Sequence, residues 1–299
     1  MAEAMTEKAS WDFTEGEEVA PGRYVWKKLG GGKTYEAYLG WDDHLAFTVV
    51  LKMVRPDRTE DGKALRALGR EAEALKRLDH PLIIRGFDAV VDGERPHLVL
   101  EHLEGPTLSR LIRKYGPLAL EQLVPLAINV SSALHYMHEE GMVHLDVKPR
   151  NVVVGSPPRL IDFSVARTLE EAARITGSVG TDLYMAPEQC DPMRGPIGPA
   201  ADVWGVGVTL YRALTGKLPF EREQDYDESD RAQRFPQLVT EPEPLWRGVP
   251  GDLAELVMRC LDPAPDHRPK AGEIGPALES IVAGLPTKPV LRKLRPKIR

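Results

Sequence analysis

Two cysteines, Cys190 and Cys260, are all that the 299 residues contain, and they stand far apart. That is too few for a disulfide framework or a cysteine-rich zinc cluster, and it suits a reducing compartment. No run of about 18 apolar residues is present to cross a bilayer. The opening stretch MAEAMTEKASWDFTEGEE is acidic and polar. It lacks the basic-then-apolar order of a secretory leader, so the expectation is a cytoplasmic chain without a transmembrane tether. Charge of one sign is scarce as well. Lys and Arg total 39 against 45 Asp and Glu, a formal net charge of −6. A chain so near balance has no basic footprint, and no nucleic-acid partner is expected. Internal repeats are lacking too.

What is present is an ordinary globular composition, long enough for one large domain or two lobes. Residues 1–21 read as a polar arm. From Tyr24 to about Leu100 the pattern is short and alternating, with YEAYLGW (35–41), FTVVLK (47–52) and PHLVLE (96–101) as strands. One helix interrupts them over about 61–78, with Leu65, Leu68, Ala72 and Leu75 as its apolar stripe. Beyond about 105 the chain reads mainly helical. LALEQLVPLAINVSSALHYMHEE stops at Gly141, and WGVGVTLYRALTG and GDLAELVMRCL are further helices. EREQDYDESD (221–230) reads as a solvated acidic loop. The basic stretch TKPVLRKLRPKIR closes the chain, and 286–299 reads as a solvated tail. Docking to an acidic partner or an anionic lipid is the other reading of that tail.

GGGKT (30–34) imitates the end of a phosphate-binding P-loop. The full pattern needs a glycine where Lys27 stands, and it needs a helix after the loop, where a strand follows. A Rossmann reading fails for the same reason. What remains is a glycine-rich hairpin, LGGGKTYEAY, whose Gly30 and Gly32 let backbone amides come close to an anion.

Lys52 ends the apolar run VVLK. Glu71 shares a helix face with Leu68, Leu75 and Leu78. A carboxylate on an apolar face needs a partner, and Lys52 is the candidate, whereas Glu73 points to solvent. In VHLDVKPRN, Asp146 can take a proton from a hydroxyl, Lys148 can neutralise a phosphoryl oxygen, and Asn151 can offer its carbonyl oxygen to a hard cation. Asp162 follows an apolar triplet in LIDFS and suits a carboxylate at a strand end. Oxygen ligands from Asn and Asp, joined by phosphate, describe magnesium.

Over about residues 22–285 these motifs, in this order, resemble the catalytic domain of eukaryotic-type (Hanks-type) serine/threonine protein kinases in its bacterial form. Leu29-Gly30-x-Gly32 resembles the glycine-rich loop, and Lys52 with Glu71 the strand lysine and its helix partner. His144-Leu145-Asp146 with Lys148 and Asn151 resembles the catalytic loop, and Asp162-Phe163-Ser164 the metal motif. GTDLYMAPE (180–188) resembles the end of the activation segment, with Arg268 as the usual partner of Glu188. Lys148 and the Gly180-Thr181 pair are similar to the serine/threonine class.

The resemblance implies an α+β bilobal fold: a small β-rich N-lobe (about 22–101) with one main helix, a hinge at 101–105, and a larger helical C-lobe (106–285). It implies ATP and Mg2+, and a protein substrate with a Ser or Thr acceptor. Asp146 and Lys148 would be catalytic, and Asn151 and Asp162 the metal ligands. Lys52, fixed by Glu71, would hold phosphates. Leu29, Ala37, Val50 and Val153 would enclose the adenine, with the backbone from Glu101 to Leu103 at its edge and Leu100 as gatekeeper. Three positions depart from the pattern: Tyr35 stands for the third glycine, Leu145 for an arginine, and Ser164 for a glycine. They leave open a competing reading, a pseudokinase or nucleotide-binding scaffold without turnover. A small-molecule kinase is disfavoured by the APE segment and Arg268.

Overall fold

The computed structural model describes residues 9–246 and 248–284. Six antiparallel strands form the first lobe: β1 (Glu18–Ala20), β2 (Arg23–Gly31), β3 (Tyr35–Asp42), β4 (Phe47–Val54), β5 (Gly86–Val90) and β6 (His97–Glu101), in the spatial order β1-β2-β3-β4-β6-β5. Register assigns the faces. Ala37, Lys52 and Leu98 lie opposite one another, as do Leu39, Val50 and Leu100. Directly paired residues share a face, and so do residues two apart on a strand. One face therefore carries Ala37, Leu39, Val50, Lys52, Leu98 and Leu100. The other carries Tyr38, Leu51 and Val99, which join Val19, Val25, Val49 and Met53 in a small separate core.

That second face corrects one expectation. Residues 1–21 were expected as a polar arm, yet residues 9–20 are docked on the sheet. Trp11 and Phe13 stack with ring centroids 5.5 Å apart, and Phe13 meets the Tyr38 ring edge-on at 5.3 Å. The Trp11 indole N–H donates to the Val54 carbonyl at 2.7 Å, and β1 carries Val19 into the small core. The reason is the sheet's outer face, which has no helix over it among the described residues. Its apolar side chains are covered by the few large apolar residues of an otherwise polar segment.

The helix α1 (Gly62–Arg77) begins where Asp61 accepts from the Lys63 amide at 2.8 Å. It buries Ala64, Leu68, Glu71, Ala72, Ala74 and Leu75 against the cleft side of the sheet. Complete burial of a leucine such as Leu68 is worth about 1.5–3 kcal/mol. The expected strands and this helix match the structure to within about two residues at each end, the uncertainty of any boundary.

The second lobe is helical: α2 (Leu108–Tyr115), α3 (Leu120–Glu139), α4 (Leu169–Ala173), α5 (Pro187–Cys190), α6 (Pro199–Thr215), α7 (Arg231–Arg234), α8 (Gly251–Cys260) and α9 (Ala271–Gly284). Two small ladders sit under the cleft, β7 (Met142–Val143) with β10 (Arg167–Thr168), and β8 (Val152–Val153) with β9 (Arg159–Leu160). The architecture is the α+β bilobal one expected. α6 is buried over most of its length, and its glycines allow close approach. A Cβ at Gly205 would stand 2.8 Å from the Val147 carbonyl oxygen, and one at Gly207 2.8 Å from Cys260. The loop at Val147 thus rests directly on this helix. Among the described residues no helix is long and apolar enough to cross a membrane. The basic tail, 286–299, lies outside the described residues. In the 221–230 run the acids are mostly exposed, but Arg222 turns inward to Asp182 at 3.4 Å.

Glu188 and Arg268 close the lobe from beneath. The guanidinium donates to both carboxylate oxygens, at 2.7 and 2.9 Å, with side-chain exposures of 0% and 1%. The carbonyls of Asp262, Ala200 and Pro263 accept its remaining N–H groups, and the Trp204 ring lies 5.0 Å below. Removing one partner strands the other as a lone buried charge, which costs about 3–5 kcal/mol. Arg268→Ala should therefore lower the melting temperature by on the order of 10 °C. A shift within error in a calorimetric scan would mean that the pair is not closed in solution.

Candidate functional site

Lys52 projects from β4 on the cleft face and meets two carboxylates. Its Nζ is 2.6 Å from Glu71 Oε2 and 2.8 Å from Asp162 Oδ1. Glu71 is 1% exposed, and its second oxygen accepts from the Phe163 amide at 3.3 Å. Burial pulls the Lys52 ammonium down, but Glu71 and Asp162 more than offset this and hold it well above the usual range. Burial pushes Asp162 up, while the Lys52 charge and hydrogen bond and the Ser164 hydroxyl hold it well below the usual carboxylate range. Both groups stay charged at neutral pH. The expected partner of Lys52 is thus in place. Lys33 of the P-loop imitation is exposed.

The loop after β7 is held from below by Asp202, whose side chain is fully buried. Its two oxygens accept from the amides of His144 at 2.9 Å and Leu145 at 2.7 Å, and His138 Nε2 lies 2.9 Å from one of them. Leu145 has φ of +63° and Asp162 of +67°. Left-handed backbone at such residues costs on the order of 1–2 kcal/mol each, so the contacts around them must hold the loop open. The result is an Asp146 carboxylate aimed into the cleft. Lys148 Nζ lies 2.5 Å from Oδ2, and the Thr181 hydroxyl donates to Oδ1 at 2.7 Å. Lys148 also reaches Thr181 Oγ1 at 2.6 Å. The Asn151 amide nitrogen donates to the Asp146 carbonyl at 2.9 Å and to Oδ2 at 3.1 Å. That bonding leaves the Asn151 carbonyl oxygen for another partner.

The pairing continues past the β8–β9 ladder and brings Asn151 and Asp162 together, since the Ile161 amide donates to the Asn151 main-chain carbonyl at 2.9 Å, leaving the side-chain oxygen untouched. One ionised carboxylate and one amide oxygen form the hard, sparse donor set that suits magnesium, which keeps waters and phosphate oxygens as its other ligands. The residues present fit that ion. Above them, Ala37 and Val50 lie on the cleft face, Val153 on β8 forms part of the floor, and Leu103 packs against the main core. Leu29 is exposed on β2, and the Glu101 side chain is turned to Arg159 at 3.5 Å. The Glu101 amide donates to the Arg85 carbonyl at 2.9 Å. A Cβ at Gly30 or Gly32 would meet nothing within 4 Å. Packing alone does not require glycine there, whereas close approach of a ligand would.

The segment from 163 to 188 is held by apolar contacts and by polar ties such as Arg234 to Asp182, at 3.0 and 3.1 Å. Ala166, Ala172 and Tyr184 are buried, with Ile175 and Val179 packed against the same core. Gln189 Nε2 donates to the carbonyls of Val179 and Leu145, at 2.8 and 2.9 Å. Leu145 is 3% exposed and belongs to the core. Sequence reasoning did not identify Asp202, Gln189 or the bridging role of Thr181. A signal for Asp202 existed: an acid at the head of a largely apolar helix requires donors.

The model of the family described as "Protein kinase domain" matches residues 24–276. The chain belongs to the protein kinase family. Its kinase domain is similar to the serine/threonine-protein kinase PkaA of Streptomyces coelicolor, 34% identical over 80% of this chain and 44% of the relative. It is similar also to PrkC of Bacillus subtilis, at 30% over 84% of this chain and 39% of the relative. With PknB of Mycobacterium leprae the figures are 29%, 80% and 39%. The chain therefore spans less than half the length of these curated relatives.

Between residues 168 and 180 the segment carries three hydroxyls, those of Thr168, Thr176 and Ser178. Thr168 caps α4, accepting from the Glu171 amide at 3.2 Å while Glu171 accepts from the Thr168 amide. Thr176 and Ser178 have no such duty. Because apolar contacts hold the segment and Leu145 cannot bind a phosphate, a Thr176→Ala, Ser178→Ala protein should keep its amide protection at 172–179. Loss of protection on phosphatase treatment of the unaltered protein would show that phosphate is the organiser.

Proposed function

We propose that the domain transfers the γ-phosphoryl group of ATP to a serine or threonine hydroxyl of a protein. The observation that carries this reading is the Asp146 carboxylate. It accepts an aliphatic hydroxyl, that of Thr181, on one oxygen, while the Lys148 ammonium lies against the other. A base that can hold a hydroxyl beside a cation is what phosphoryl transfer to an alcohol needs, because such catalysis is mostly positioning and charge stabilisation. The names of the relatives, serine/threonine-protein kinases, support the substrate class.

In this reading Asp146 orients the acceptor hydroxyl and takes its proton. Lys148 neutralises the charge that gathers on the transferring group. Lys52, pinned by Glu71, binds α- and β-phosphate oxygens. Glycines 30 and 32 let the hairpin amides approach the phosphates. Ala37, Val50 and Val153 enclose the base, with Leu29 at its rim and the 101–103 backbone at its edge. Asn151 and Asp162 would hold magnesium, which when bound supplies positive charge to the phosphate oxygens.

Labelled ATP with magnesium and a generic protein acceptor, followed by phosphosite mapping, tests the reading directly. Lys52→Ala should lower turnover by about 10²-fold or more, the scale of a lost electrostatic contact to the transition state, whereas Lys33→Ala should change it little. The reverse order would restore the P-loop reading. A protein that binds Mg-ATP yet labels nothing would be a scaffold.

Asp146→Asn and Asp162→Asn should separate two roles by calorimetry. The first should retain magnesium-dependent nucleotide binding while losing about 10²–10⁴-fold in rate, as expected for a missing general base. The second should lose the magnesium-dependent part of binding itself. Wild-type behaviour of both would remove this site from the reaction.

A further inference from the structure

Tyr35 is the first residue of β3 and closes the glycine-rich hairpin, its carbonyl accepting from the Gly32 amide at 2.8 Å. By alternation its side chain falls on the cleft face with Ala37 and Leu39. Two contacts follow. The hydroxyl donates to the Ala64 carbonyl, in the first turn of α1, at 2.9 Å. The ring lies beside the Lys52 ammonium, with Nζ 4.8 Å from its centroid. One side chain therefore joins the hairpin, the lysine and the helix that carries Glu71.

The position of that helix needs a cause. Toward its C-terminal end, Arg77 donates to the Glu140 carbonyl at 3.1 Å. In its third turn, Glu71 holds Lys52 and the Phe163 amide. In its first two turns, Tyr35 makes the only side-chain hydrogen bond to the sheet among the described residues. The large lobe offers little else at that end. Leu145 is buried and uncharged, so the loop before Asp146 presents no cation there through which a phosphate on the 163–188 segment could organise the cleft.

We infer that Tyr35 is a positioning residue: it fastens the glycine-rich hairpin and Lys52 to the first turn of α1, and so keeps Glu71 in its bonded place without a phosphorylated segment. Burial pushes its hydroxyl up to about 12, so it remains a donor throughout the working pH range. A glycine at this position would remove both contacts and open one side of Lys52 to water. The inference rests on the phosphoryl-transfer reading for its catalytic consequence, but not for its structural one.

The test compares Tyr35→Phe and Tyr35→Leu with the wild type, in the full chain. Amide hydrogen exchange over 63–71 reads the tie without any need for turnover. Tyr35→Phe keeps the ring and drops one hydrogen bond, so exchange there should quicken roughly 2- to 12-fold, the span of one net hydrogen bond. The rate constant for transfer should fall by a similar factor, with KM for ATP nearly unchanged. Tyr35→Leu also removes the ring from Lys52 and should in addition raise KM for ATP. Unchanged exchange in both variants would overturn the inference. So would a gain in kcat/KM for ATP in Tyr35→Leu, which would make the ring a plug over the phosphate site. A wild type that transfers nothing, while Tyr35→Phe still loosens 63–71, would sink the proposed function and leave the tie standing.

Discussion

A buried ammonium is the constraint on which the cleft depends. The Lys52 side chain is 13% exposed, and a cation so placed is tolerable only with compensating charge. Two carboxylates supply it, one from a helix of the small lobe and one from the large lobe. Glu71 would itself be an orphaned charge on an apolar face if Lys52 moved away. The three groups therefore fix one another, and through them β4, α1 and the Asp162 segment share a single arrangement.

The large lobe repeats this logic with a carboxylate at the centre. Asp202 stands at the start of a helix buried along most of its length, and it takes the backbone amides of two consecutive loop residues. Those bonds hold Leu145 in a left-handed conformation that leucine resists. Strain stored beside Asp146 is offset by burial below it, where α6 runs against the loop closely enough to require glycine. The cleft is thus shaped by two charged residues that need never touch a substrate, Asp202 and Glu71.

Much of this was legible in the sequence because it is local. Glu71 declared itself by sharing a helix face with leucines, and Asp146, Lys148, Asn151 and Asp162 by their spacing. The strand faces followed from alternation around Lys52. What escaped was contact between distant segments. Nothing near Trp11 or Phe13 shows that Tyr38 and Val54 will receive them. Thr181 bonds across a loop to a residue 35 positions away, and Tyr35 reaches Ala64 at a separation of 29. The edge strand β5, GFDAV, is short and largely exposed, so its alternation is weak. The start of α6 was placed at Trp204 rather than Pro199, although a proline at the first helical position is a recognised start signal.

Glu36 shows how such distant contacts bind the chain's future as well as its fold. It is fully buried in β3, opposite Gly31 of the hairpin. Lys28 reaches it at 2.6 Å, Tyr38 at 2.8 Å, Arg55 at 3.2 Å and the Trp11 amide at 3.2 Å. Loss of the carboxylate would leave two cations and a hydroxyl short of an acceptor at once, and loss of any donor would weaken the hold on a buried anion. Single substitutions of Glu36, Lys28, Tyr38 or Arg55 are therefore penalised, whereas the Trp11 donor is a backbone amide that any residue but proline supplies. The docked segment before β1 is thus tied to the strand behind the glycine-rich hairpin through its backbone, a tie that its side chains can change without breaking.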